Sequence, residues 1–453
     1  MAARKTNRFP VVRRSRAMWT SRRVWLPRLV FWVGAICIGV ISVVFAQLAD
    51  LAQHLFHSAT GAGGWRAALP LAITPAGFML CAWMAYAWFP GTQGSGIPQA
   101  IAARYLRDDE DRRQILSLRH VAGKILLTVM GLLSGASIGR EGPTIQVGAS
   151  LMLQAARWGG MAQARGLILA GSAAGIAAAF NTPLAGIVFA IEEMGRSYQA
   201  RTNGLVLSAV ILAGLASIAL VGNYSYFGVT DARMSSHADW AMVAACGVAG
   251  GLLGSGFSWS ALRAMRRIRR WVQPDPLRRT IALAGACGLG VALIGLASGG
   301  QTFGTGYEQA RSAIEGNALP AFFFVEKLAA GLLSMISGIP GGIFAPSLSV
   351  GAGVGSTIGL LLGTDIALAA LLGMAGYFAG VVQAPMTAFV IILEMTGNHD
   401  NVIPLMASAM LGYGTSRMIS REPLYHAMSR LIIADALRRK RSRSPEGDAQ
   451  ETG

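Results

Sequence analysis

Apolar residues run along this chain in blocks rather than in stripes. Stretches near 29–48, 68–89, 121–138, 165–191, 204–221, 239–258, 281–298, 319–337, 366–393 and 402–416 carry few charges, and polar residues gather between them. Blocks of this kind fit helices that are apolar all round and surrounded by protein or lipid. Some are too short, or too often interrupted by glycine, to make a clean span of ~20 residues. A membrane tolerates such interruptions only where protein or water covers the freed backbone. The pattern therefore predicts an all-α polytopic membrane protein with discontinuous helices.

One carboxylate breaks the pattern. Glu141 lies in GREGP (139–143), with largely apolar sequence at 126–138 before it and 145–153 after it. A carboxylate at membrane depth is costly and marks function. Glycine followed by Pro143 fits a backbone break and a fresh helix start, where free N–H groups and the positive end of the helix dipole attract anions. The segment reads as an anion position inside a membrane. Arg140 beside it reads as a balance of local charge or an interface residue rather than a ligand of a transported ion.

Composition agrees with the pattern. The chain has 453 residues, 53% hydrophobic and 13% charged, with 57 glycines and a mean hydropathy of +0.48, far from the soluble balance. Its formal charge of +17 owes much to a basic N-terminus (Arg4, Lys5, Arg8, Arg13, Arg14, Arg16, Arg22, Arg23, Arg28) that holds no acidic residue. The positive-inside rule explains this better than nucleic-acid binding, and the segment from Leu29 reads as a retained span rather than a signal peptide. Cys37, Cys81, Cys246 and Cys287 lie apart in apolar segments without a CxxC, as packing residues.

The chain repeats itself. GREGPTIQVGA (139–149) lies over GGIFAPSLSVGA (341–352), matching Gly139 to Gly342, Pro143 to Pro346, Val147 to Val350 and Gly148 to Gly351. NTPLAGIVFAIE (181–192) lies over QAPMTAFVIILE (383–394) at nearly the same spacing, with Pro183 on Pro385 and Glu192 on Glu394. Two matches at nearly one offset imply two halves. Loop charge gives their relative direction. Arg104, Arg107, Arg112, Arg113 and Arg119 fill 101–119, whereas the matching 304–322 holds only Arg311. Arg263, Arg266, Arg267, Arg269, Arg270, Arg278 and Arg279 fill 263–279, whereas 60–76 holds only Arg66. Equivalent loops thus fall on opposite sides, and the repeats are inverted, as in transporters whose site lies near the midplane. The expected organisation is a basic cytoplasmic tail at 1–28, a first membrane repeat at 29–222, an extracytoplasmic linker at 223–238, a second repeat at 239–420 and a cytoplasmic C-terminal segment at 421–453.

GSGIP (94–98), GREGP (139–143), the GxFxP of GGIFAP (341–346) and PLY (423–425) occur in this order over essentially the whole membrane region. Together they resemble the CLC family of chloride channels and chloride/proton antiporters, in its bacterial type without C-terminal CBS domains. The resemblance implies the CLC-type fold of two inverted repeats, a homodimer with a separate pore in each subunit, and a multi-pass protein of the cell (inner or plasma) membrane with both termini cytoplasmic. It assigns Ser95 and Tyr425 as anion ligands, Ile343 and Phe344 as amide donors, and Glu141 as gate. The chemistry agrees: a chloride ion in a dry site needs N–H and O–H donors without a bare lysine that would hold it too tightly. The carboxylate of Glu141 can occupy the same position as the anion until a proton neutralises it.

Glu193, in AIEEM (190–194), matches the inner glutamate with which CLC exchangers hand protons to the gate and which many CLC channels replace. Glu192 has a repeat counterpart in Glu394 and Glu193 has none, which gives Glu192 a structural part and Glu193 the proton. The expected function is chloride/proton antiport, with chloride and protons as substrates, the lipid bilayer and a second copy of the chain as partners, and no cofactor. A passive gated chloride channel is the alternative, followed by a fluoride exporter. Two positions depart from the family pattern: Gln99 stands where glutamate usually follows GSGIP, and Ile101 is apolar. Lys124, in an apolar stretch, lacks an acidic neighbour in sequence and would seek a carboxylate or carbonyls.

Other motifs carry less. GASIG (135–139) matches the serine-hydrolase GxSxG but follows no strand pattern, so neither a catalytic serine at Ser137 nor any enzyme activity is expected. His54, His57, His120, His237, His399 and His426 are scattered without acidic pairing in sequence, giving no metal site. The acidic run 108–111 reads as a solvated loop, and the glycines at 351, 353 and 355 as helix packing.

Overall fold

A computed structural model describes residues 22–61, 64–161, 163–195, 200–222, 224–234 and 239–441. Most of the expected N-terminal tail and the end of the C-terminal segment lie outside the described residues. The first half holds α1 (Arg22–Thr60), α2 (Pro70–Ala87), α3 (Ile97–Tyr105), the short α4 (Asp109–Arg113), α5 (Leu118–Leu133), α6 (Glu141–Trp158), α7 (Ala164–Phe180), α8 (Pro183–Phe189) and α9 (Ala200–Val221). The second holds α10 (Asp239–Val272), α11 (Pro276–Ala297), α12 (Tyr307–Ile314), α13 (Phe323–Ile336), α14 (Phe344–Leu362), α15 (Ile366–Val382), α16 (Pro385–Thr396) and α17 (Val402–Ile419). The final helix, α18 (Leu424–Arg441), follows both. Apart from α4, the two halves run through the same order of elements. Among the described residues, 7 helices are long and apolar enough to cross a membrane.

Several apolar blocks fold differently from their sequence extent. Block 29–48 is the middle of α1, which runs on to Thr60 and contains Pro27 in its second turn. Blocks 165–191 and 366–393 each split in two. α7 ends at Asn181 with φ 56° and α15 ends at Gln383 with φ 58°, both left-handed. Each turn is followed by an extended residue and then a proline that starts the next helix. The side chains hold these costly turns: Asn181 Nδ2 donates to Tyr224 O at 2.9 Å, and Gln383 Nε2 to Ser420 O at 2.7 Å.

The halves meet in the middle of the molecule. Gly139 and Gly342, matched in the repeat, exchange both backbone hydrogen bonds at 2.7 Å. Alongside, Gly94 N donates to Ile339 O and Gly341 N to Gly94 O, each at 3.2 Å. The three signature loops are thus joined through backbone alone. The acidic run is largely exposed to solvent, but it opens the short helix α4 rather than forming a loop, and Asp109 accepts from Arg157 Nε at 3.1 Å. Asp108 pairs with Lys440 of α18, and that hydrogen bond holds the Asp108 carboxyl below its usual range.

Candidate functional site

Three helices start at the joined loops: α3 after Gly96, α6 after Arg140 and α14 after Ile343, none with a hydrogen bond to its first amides from the side chain of the residue before it. An α-helix leaves those amides without intrahelical partners. Their convergence makes a polar centre inside an apolar shell. Gly96 adopts φ 99°, a conformation costly for any side chain, and a Cβ there would come within 2.8 Å of Gly142 O. The chain can therefore bring α3 and α6 to one point only with glycine at this position.

Glu141 is the first residue of α6 and is wholly buried. A Cβ on Gly139 would lie 2.3 Å from its Oε2, so the carboxylate fills the space that glycine leaves. The Ala345 amide in the first turn of α14 faces it, and neither oxygen completes a hydrogen bond within the protein. Arg140, next in sequence, turns away: its Nη1 donates to Ala46 O at 2.6 Å and Asp50 Oδ1 at 2.7 Å on α1. The guanidinium is anchored to a neighbouring helix, which agrees with a structural part.

The hydroxyls of Ser95 and Tyr425 are buried and have no group of the protein other than each other within reach. They approach each other, and Ser95 Oγ also faces Gly142, where a Cβ would be 2.5 Å away. Tyr425 is carried in by α18, which packs on α3. Phe344 closes the far side, with ring centroids 6.1 Å from Tyr425, 4.8 Å from Phe378, 6.0 Å from Phe189 and 6.2 Å from Phe180. The structure brings Ser95, Glu141, Ile343, Phe344 and Tyr425 to one centre.

Glu193 stands elsewhere. It is 1% exposed, which excludes a helix-end carboxylate in ordinary solvent. It lies in a π-helical turn, Ala190–Gly195, that extends α8. Such turns concentrate at functional sites. His426 Nε2 lies 2.9 Å from Glu193 O and 3.7 Å from its Oε1, and Tyr425 is within electrostatic range of both Glu193 and Glu141. His426 thus meets an acidic residue far from it in the chain, a pairing in space that the scattered histidines do not show in sequence. Its position beside Tyr425 was the available signal.

The Ser95 loop is held by residues whose part the sequence left open. Lys124 is wholly buried without a carboxylate, and its Nζ donates to Thr92 O and Gly94 O, both at 2.6 Å. Gln99 accepts from Gly96 N at 3.1 Å and donates to Gln93 O at 2.6 Å, so it caps α3 as a glutamate would and adds a donor. Ile101 is buried apolar core. Lys327, which sequence reasoning missed, repeats the arrangement in the second half, donating to Thr302 O at 2.9 Å and Gly304 O at 2.8 Å. Ser137 is 1% exposed and its hydroxyl has no hydrogen-bonded base, a poor setting for a nucleophile. No cluster of metal-ligating side chains occurs among the described residues.

The sequence profile of the family described as voltage gated chloride channel matches residues 77–417. The chain belongs to that family. Among CLC relatives, the H(+)/Cl(-) exchange transporter ClcA of Salmonella gallinarum (strain 287/91 / NCTC 13346) is 28% identical over 443 residues, covering 91% of this chain and 90% of that protein. The ClcA of Salmonella arizonae is also 28% identical, over 426 residues, with 87% and 86% covered. Of solved structures, a slow cyanobacterial Cl-/H+ antiporter superposes with a TM-score of 0.76 at 24% identity, covering 89% of this chain and 98% of that one. A CLC-type fluoride/proton antiporter superposes at 0.73 and 21%, covering 90% and 99%. These superpositions show that this chain has the CLC fold.

Proposed function

We propose that this protein exchanges chloride for protons across a membrane. The observation that carries the reading is the pairing of buried hydroxyls and helix-start amides with two buried carboxylates, Glu141 at the cluster and Glu193 near Tyr425 and His426. Family membership and relatives named as H(+)/Cl(-) exchangers support it. Ser95 Oγ and Tyr425 Oη supply hydroxyl donors, and the first amides of α14, with Ile343 and Phe344, supply backbone donors. These hold chloride without a cation that would trap it. The Glu141 carboxylate competes for the same amides. Protonation removes its charge and releases the position, so each proton on Glu141 opens the way for anions.

Glu193 passes protons between the cytoplasm and Glu141 by a route that leaves the anion path near Tyr425. A channel needs only the gate; an exchanger needs a second proton site. The buried Glu193 favours exchange. The positive-inside rule supports a cytoplasmic position for α4 and the end of α18, with both termini on that side. Exposed apolar residues on α9, α16 and α17, among them Leu207, Ile211, Leu215, Met386, Ile403 and Met410, suit a homodimer interface in the bilayer.

Purified protein in chloride-loaded liposomes, followed by chloride and proton electrodes together, tests the reading. Chloride efflux should carry protons inward at a fixed ratio. Chloride efflux without proton movement would make the protein a passive channel, and no chloride movement would end the proposal.

A further inference from the structure

The segment after α9 folds back toward Glu141, as the segment after α17 folds back toward Ser95. In the second case the residue delivered is Tyr425. In the first it is Tyr226, which is 5% exposed and lies within electrostatic range of Arg140 and Glu141. The two segments lie at opposite ends of the molecule. Asn401, at the start of α17, donates to Ala232 O of the first segment at 2.6 Å, whereas Tyr425 follows the end of the same 18-residue helix. A helix of that length separates the two by ~27 Å along its axis.

Tyr226 is held firmly. Its ring lies 5.6 Å from Phe180, 5.0 Å from Phe227 and 5.1 Å from Tyr307, and Phe180 in turn touches Phe344 of the site. Tyr307 Oη donates to Tyr226 O at 2.8 Å, Phe227 N donates to Met395 O at 2.9 Å, and Asn398 Nδ2 donates to Thr230 O at 3.1 Å and Ala232 O at 2.8 Å. The strap is thus fastened to α12 and to the end of α16, across the end of the path that Glu141 faces. The repeat-related loop TFGTG (302–306) provides no polar exit beside it. Its Thr305, the counterpart of Ser95, gives both N–H (2.8 Å) and Oγ1 (3.1 Å) to Gln53 Oε1. A side-chain oxygen therefore occupies the donors that in the first half are left to an ion.

We propose that Tyr226 is a second gate, a side chain that closes the anion path between Glu141 and the solvent at the end opposite Tyr425, with Tyr307 as its positioning residue. The inference rests on the transport reading above. An anion leaving the Glu141 position must displace the Tyr226 ring or wait for the strap to lift, so this residue limits turnover even when Glu141 is neutral.

The test uses Glu141→Gln protein in liposomes, in which the carboxylate gate is removed and chloride flux alone is read. Adding Tyr226→Ala should raise chloride turnover about tenfold, equivalent to about 1.4 kcal/mol off the barrier. Tyr307→Phe, which loosens the strap but keeps the ring, should give a smaller rise. Turnover at or below that of Glu141→Gln alone would overturn the proposal, whereas absence of flux in Glu141→Gln itself would indict the transport reading instead. Should Tyr226→Ala not fold, Tyr226→Cys in a Cys37→Ser background decides. A membrane-impermeant thiol reagent should block flux when added from the strap side and not from the other. Modification that leaves flux unchanged would refute the gate.

Discussion

Glu192 and Glu394 cap each other's half of the molecule. The Glu192 carboxylate accepts from Met386 N (3.0 Å), Thr387 N (2.6 Å) and Thr387 Oγ1 (2.7 Å) at the start of α16, and the Glu394 carboxylate accepts from Leu184 N (3.0 Å) and Ala185 N (2.7 Å) at the start of α8. Each glutamate thus satisfies helix amides that would otherwise stay unpaired in an apolar setting, with the favourable end of the dipole added. One position further on, the side chain of Glu193 points to a different neighbourhood.

Glu192→Gln should therefore cost stability rather than coupling. The amide replaces one acceptor with a donor that opposes a backbone N–H, a loss of about 1–3 kcal/mol. A lower melting temperature in detergent with an unchanged chloride-to-proton ratio is the expected pair of results, and Glu394→Gln should behave alike.

Lys124 and Lys327 hold loops through two carbonyls each, in wholly buried positions. Lys124→Met leaves Thr92 O without a donor, at about 1–3 kcal/mol, and leaves Gly94 O with the Gly341 amide alone. Because Gly94 precedes Ser95, chloride affinity should fall along with stability. Lys327→Met should lower stability with a smaller effect on chloride affinity. Thermal melting and calorimetric chloride titration of both variants separate the two effects.

Much of this was legible in the sequence. The signature loops, the paired prolines and the match of Glu192 to Glu394 marked the two halves. Lys327 stands at the same offset from Lys124 as Gly342 from Gly139 and was legible there, but the loop it holds was not, because the loop containing α4 makes the first half seven residues longer between Thr92 and Lys124 than the second between Thr302 and Lys327. TQGSG (92–96) and TFGTG (302–306) consequently fall out of register with the stronger matches. The breaks at Asn181 and Gln383 were hidden for another reason: neither residue is glycine, and their left-handed turns depend on acceptors far along the chain. Arg104 and Arg112 counted as loop charges, yet Arg104 donates to Met194 O and Arg112 donates to Ala103 O at 3.2 Å and Leu106 O at 2.7 Å. A basic loop marks topology and builds structure with the same residues.

Glu193→Gln should keep chloride flux and lose proton flux, because the amide preserves shape and burial but carries no titrating proton. His426→Ala, which removes the neighbour at Glu193 while leaving Tyr425, should slow proton transfer without abolishing chloride movement. Proton and chloride fluxes measured on the same liposomes check both. Normal coupling in Glu193→Gln would remove that residue from the proton route and leave Glu141 in place.

Coupling itself is tested most directly by imposing a chloride gradient across liposomes with no initial pH gradient and following internal pH. The wild-type protein should drive protons uphill until the two gradients balance, and Glu141→Gln should let chloride run down with internal pH unchanged. Continued uphill proton movement in Glu141→Gln, or a wild-type voltage that settles at the chloride equilibrium potential whatever the pH difference, would contradict exchange through Glu141.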